Sequence, residues 1–93
     1  MNYLLKDPEA VLDYSVDWGA EYLAGDLLAE SAWSVVPEEP GGLTVEAADF
    51  DATTTTVTAA GGIAGRLYRL VNAVVLQSGR ADSRSVVLRV EGR

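Results

Sequence analysis

The chain has 93 residues and a formal charge of −7, from fourteen acidic and seven basic residues, and it contains neither cysteine nor histidine. That is one domain without disulfides, lacking thiolate chemistry, the commonest general base and the commonest transition-metal ligand, which argues against an enzyme. The acidic balance disfavours nucleic-acid phosphate and anionic membrane surfaces, and no apolar stretch approaches the length of a membrane span.

In chain order, Met1–Pro8 lacks a basic region followed by a long apolar run, so no signal peptide is expected, and a soluble protein made in a cytoplasm is. Residues 1–10 read as an N-terminal arm, with residues 11–93 as a single β-sandwich domain. Pro8 pushes Asp7 towards extended backbone. Tyr3, Leu4 and Leu5 are apolar yet lie outside the first alternating segment. This predicts an arm ordered by contact with another subunit, with Tyr3 and Leu5 as anchors. The alternative is an edge strand or plug on its own sandwich.

Leu12, Tyr14, Val16 and Trp18 then alternate with Asp13, Ser15 and Asp17, the period of a half-buried strand. Ala20–Ala32 is rich in helix formers, including Glu21, and propensity allows a short helix there. Gly25 interrupts it, and Ser31, Trp33 and Val35 alternate with Ala32, Ser34 and Val36. A loop at 19–26 and a strand at about 27–36 is the favoured reading. Pro37–Gly42 is a loop. Leu43, Val45 and Ala47 alternate, Asp49–Ala52 is a turn, and the β-branched run Thr53–Ala59 favours strand.

After a glycine turn at 61–65, residues 66–77 are apolar on both faces. Tyr68, Leu70, Asn72, Val74 and Leu76 share one face, and Leu67, Val71, Ala73 and Val75 the other. Such a strand is central, or covered by a partner. Gln77–Arg80 is a turn and Ser85–Val90 the last strand. Short strands with turn signals every ~8–12 residues predict an all-β sandwich. Its expected core is Leu12, Tyr14, Val16, Trp18, Trp33, Val35, Leu43, Val45, Val57, Tyr68, Leu70, Val74, Leu76, Val86, Leu88 and Val90.

No motif points to catalysis. Asp13 and Asp17, four residues apart on one strand face, lie about 13 Å from each other, too far to share a proton or a metal. Asp49-Phe50-Asp51 could offer oxygens to calcium, but Asp is also an ordinary turn residue and no EF-hand loop is present. The glycines at 61–65 lack the Lys-Ser/Thr pair of a phosphate loop. Trp18 and Trp33 read as core, with a carbohydrate platform or interface anchor as the alternative. Arg66, Arg69, Arg80, Arg84, Arg89 and Arg93 gather in the last third, opposite an acidic first half. This asymmetry either steers contacts between subunits or serves solubility. The expected sites are therefore interfacial, at Tyr3, Leu4, Leu5, Arg66, Arg69, Arg80 and Arg84, with no catalytic, cofactor or metal residue.

The run Lys6-Asp7-Pro8 followed by Leu12-Asp13-Tyr14-Ser15-Val16-Asp17-Trp18 resembles the opening of small tailed-bacteriophage fibre–tail adaptor proteins. The likeness continues through Leu23 with Gly25-Asp26, Ser31-x-Trp33, the threonine-rich strand ending in Gly61-Gly62, Gly65-x-x-Tyr68 and Asn72. It closes on Ser78-Gly79-Arg80-x-Asp82-x-Arg84-Ser85 and Leu88-x-Val90. The Ala- and Leu-rich stretch Leu27–Ala32 departs from it. The resemblance implies an immunoglobulin-like antiparallel β-sandwich of about seven short strands. It would serve as a non-enzymatic virion structural protein in the tail, neck or baseplate, with no cofactor. Implied partners are other phage tail, neck or fibre proteins and copies of itself, with no nucleic acid and no membrane. A particle-borne glycan- or cell-surface-binding module and a capsid decoration protein are the alternatives.

Overall fold

The computed structural model describes residues 3–19 and 23–92. Met1 and Asn2 of the arm, Ala20 and Glu21 of the helix-prone stretch, and Arg93 of the arginine group lie outside the described residues. The described chain forms seven strands and no helix: β1 (Leu4–Lys6), β2 (Val11–Asp17), β3 (Leu28–Val36), β4 (Leu43–Phe50), β5 (Thr54–Gly61), β6 (Leu67–Leu76) and β7 (Ala81–Val90). They make a four-stranded sheet in the order β1-β7-β6-β3 and a three-stranded sheet in the order β2-β5-β4. Pairing is antiparallel except between β1 and β7, which run parallel. This is the expected immunoglobulin-like sandwich, with the inward phases of the two sheets facing one another.

The predicted alternations become strands because each has a partner sheet to bury its apolar phase. Val57, Ala59, Tyr68, Leu70, Leu88 and Val90 form the centre of the main core, with Val35 and Leu43. Trp18, Leu23, Leu28, Val74 and Leu76 form a second cluster near the β6–β7 turn. Trp18 is fully buried, while Tyr14, Val16, Trp33, Val45 and Val86 are partly buried and pack against these clusters. Leu12 corrects the expected core. It is 40% exposed, because β2 is an edge strand and its first inward position lies at the sandwich margin. Leu23, from the loop before β3, enters the core unannounced by any alternation.

Within the N-terminal arm, Leu4–Lys6 adds to the domain's own sheet beside Leu88–Val90, the edge-strand alternative. The reason is Lys6. Its stem is buried, and its ammonium donates to the carbonyls of Gly61 (2.8 Å) and Asp7 (2.9 Å). Asp7 then turns the chain, its side chain accepting from the Glu9 N–H and its carbonyl from the Ala10 N–H. The segment thus passes from the edge of one sheet into β2 of the other. Two strand ends also move. β4 runs on to Phe50, and β7 begins at Ala81 instead of Ser85.

Candidate docking surfaces

Most residues of the sequence signature are consumed by the fold. Asn72 is fully buried between the two core clusters and satisfied on both sides of its amide. Its Oδ1 accepts from Trp18 Nε1 (2.9 Å) and Thr55 Oγ1 (2.6 Å), while its Nδ2 donates to Ser31 Oγ (2.9 Å) and the Ala32 carbonyl (3.2 Å). A buried polar group with all its partners fixes one packing of the strands around it. Tyr68 Oη donates to Glu39 Oε1 (2.7 Å) and accepts from the Ile63 N–H (3.0 Å), pinning the loop before β6. Burial, followed by its bond to Glu39, raises the Tyr68 phenol above its ordinary pKa. Desolvation lowers that of the Lys6 ammonium. Gly62 sits at φ +105°, and a Cβ there would lie 2.6 Å from Val90 Cγ2, so this glycine is required by both backbone and space.

The candidate carboxylates are likewise engaged. Asp13 accepts from Thr58 Oγ1 (2.6 Å), Asp17 from the Gly19 N–H, and Asp49 from the Phe50 N–H. Asp51 accepts from the Thr53 and Thr54 N–H groups, the geometry of a turn cap. Among the described residues no group of three acidic side chains is placed to hold a metal ion.

The outer faces differ sharply, because residues opposite one another in register share a face. On the three-stranded sheet the outer phase is Asp13, Ser15 and Asp17 of β2, Thr54, Thr56 and Thr58 of β5, and Thr44 and Asp49 of β4. It is a hydroxyl and carboxylate surface. On the four-stranded sheet the outer phase is small and apolar. Ala32, Ser34 and Val36 of β3 lie beside Ala73, Val71 and Arg69 of β6, which lie beside Ser83, Ser85 and Val87 of β7. Leu67 and Ala73 are exposed on it, and Val71 and Val75 half-buried. β6 is therefore central and apolar on both faces, and among the described residues none covers its outer face.

The candidate interface residues separate into two groups. Tyr3, Leu4 and Leu5 lie at the β1 edge, with Leu5 opposite Arg89 on the apolar face. Arg66, just before β6, is ion-paired with Glu39 (3.3 Å), and Arg69 stands on the same apolar face. Arg80 lies in the turn at the far end of the β6–β7 hairpin, and Arg84 lies mid-strand opposite Asn72, with its guanidinium 4.5 Å from the centroid of the Trp18 ring. Arg84 thus supports a core residue, a use that charge patterning alone does not reveal.

A family model described as "Podophage GP4 fiber-tail adaptor protein gp77" matches residues 6–89. Among solved structures, the "solution structure of the PKD domain from KIAA 1837 protein" is similar, with a TM-score of 0.60 and 15% identity, over 100% of this chain and 83% of that one. At that identity the likeness speaks for the fold alone. No curated protein matches the chain.

Proposed function

The chain belongs to the podophage GP4 fiber-tail adaptor family, and from that premise we propose that it is a structural part of the virion tail which bridges two partners. The supporting observation is the division of its candidate contact residues between opposite ends of β6 and β7. Tyr3, Leu4, Leu5, Arg66 and Arg69 lie towards one end and Arg80 in the turn at the other, with Arg84 between them over the Trp18 ring. A rigid sandwich between two such patches holds its partners at a set distance and angle. Tail or neck protein is the partner for one end, and fibre or a neighbouring subunit for the other. Chemistry plays no part in this reading: the candidate carboxylates Asp13, Asp17, Asp49 and Asp51 accept from turn N–H groups or a threonine hydroxyl.

The test is a phage in which the native gene is replaced by variants of it. Deletion should give particles without fibres. Leu4→Glu and Arg80→Glu, at opposite ends, should each lose contact with one partner, so that one abolishes incorporation of the chain and the other leaves it bound but fibreless. Fully assembled particles that attach poorly to cells would instead favour a glycan- or cell-surface-binding module. Location of the chain on the head would favour a decoration protein.

A further inference from the structure

The outer face of the four-stranded sheet is uneven along its strands. Near the β6–β7 turn it is lined by Ala32, Ala73, Val75, Ala81 and Ser83, side chains so small that they leave an open depression of about 460 Å³ with Glu30 on its wall. At the other end the same face is bulky. Val36 (52% exposed), Leu67 (45%) and Leu5 (55%) stand there with Arg69 and Val87. Depression and ridge are centred six residues apart along β6, at Val75 and Arg69, or about 20 Å.

We propose that this face is self-complementary and binds a second copy of the chain, sheet against sheet, about a two-fold axis lying in the interface across the strands at the level of Asn72. Residues 75 and 69 lie symmetrically about 72, so the axis exchanges the two ends. The ridge of each copy enters the depression of the other. Glu30, opposite Val75 on β3, then comes over Val36 of the second copy, one strand spacing of about 4.8 Å from that copy's Arg69. Two symmetry-related Glu30–Arg69 pairs close the interface. An isologous contact needs each feature and its complement on one surface, and this face carries both.

Charge chooses this face over the other. Among the described residues, the outer phase of the three-stranded sheet carries Asp13, Asp17 and Asp49 and no cation, so two copies repel there. Among the described strand residues, the charges on the apolar face are Glu30, Arg69 and Arg89, the last ion-paired with Glu91. The paired strands of a domain this small make a contact at the small end of specific interfaces, so the free chain should dimerise weakly, with dimer appearing only at high protein concentration. Within a particle, tethering raises the effective concentration to such levels or beyond. The inference concerns the free chain and stands whichever tail proteins it meets.

Sedimentation equilibrium of the intact chain, from about 10 µM to 1 mM, should show a reversible monomer–dimer equilibrium. Ala73→Glu places a charge in the depression at an exposed position. It should raise Kd at least about tenfold while leaving the melting temperature of the monomer unchanged. Glu30→Arg and Arg69→Glu should each weaken dimerisation, and the double variant E30R/R69E should restore it. A chain that stays monomeric at 1 mM overturns the proposal, as does a dimer indifferent to Ala73→Glu or a double variant no better than either single one.

Discussion

Asn72 shows how a single polar residue can organise an otherwise apolar sandwich. Its amide sits where Leu70 of the main core gives way to Val74 of the second cluster, and it joins the turn after β2 through Trp18, β5 through Thr55 and β3 through Ser31. Removing Asn72 strands two buried donors at once. Thr55→Val removes one of them while conserving volume. In urea unfolding, Asn72→Leu should therefore cost about 2–4 kcal/mol alone and at least about 1 kcal/mol less when Thr55 is already valine. Strict additivity would mean that the amide and hydroxyl do not act as one group. The Trp18 indole belongs to the same unit, with Arg84 over its ring and Asn72 at its nitrogen. Trp18, Asn72 and Arg84, distant in sequence and all part of the signature that resembles the adaptor family, thus meet in one unit.

At the scale of elements, β1 is the instructive case. Three residues are too few to show an alternation, and Tyr3-Leu4-Leu5 reads equally well as an arm or an edge. What decides is Lys6, whose donors meet the carbonyls of Gly61 and Asp7, and the Glu91 N–H that closes on the Lys6 carbonyl. Since those partners belong to the same domain, deleting residues 1–6 should lower the melting temperature of the free chain by about 5–10 °C, as expected for a loss of one to two kcal/mol in a domain of this size. An unchanged melt would return the segment to the role of an arm.

β2, β3 and β6 were legible because each has one side in the core. The first half of β7 was not. Ala81–Ser85 is exposed throughout, so both its phases are polar or small and only the ladder with β6 makes it a strand. The apolar outer face was half legible. Leu67, Val71, Ala73 and Val75 signal it on β6, but Ala32, Val36 and Val87 join them only through registers between segments far apart in sequence. Arg66 and Arg84 stand out by charge, whereas their contacts with Glu39 and Trp18 show only in the fold, because charge patterning cannot see intramolecular partners.

For the whole molecule, the ionisable groups define a pH window. Asp26 is held below the usual carboxylate range by Ser78 Oγ (2.5 Å) and the Leu27 N–H, and Asp51 by the N–H groups of Thr53 and Thr54. Below their ordinary value of 3.8 the unfolded chain binds protons that the folded chain still refuses, so stability falls as pH drops through this range. The denaturation midpoint should therefore decline from pH 5 to pH 2, and the double variant D26N/D51N should show a shallower decline. Equal slopes would assign the acid sensitivity to other carboxylates. At the alkaline end the signs oppose one another. Lys6, with its pKa lowered, makes the fold gain stability as pH rises towards 10.5, whereas Tyr68 and Tyr14, with theirs raised, make it lose stability above pH 10.

The parallel pairing of β1 with β7 has a mechanical consequence. Tension applied ahead of Leu4 and beyond Val90 pulls the two strands past each other lengthwise, because they run in the same direction side by side. The register Leu4–Leu88, Leu5–Arg89, Lys6–Val90 is then strained in shear, and its hydrogen bonds must yield together instead of opening one after another as they would at the end of a hairpin. The Lys6 ammonium, anchored on the Gly61 carbonyl of the opposite sheet, spreads that strain into β5. A domain strung between two partners by its ends is in this way clamped along the line of pull.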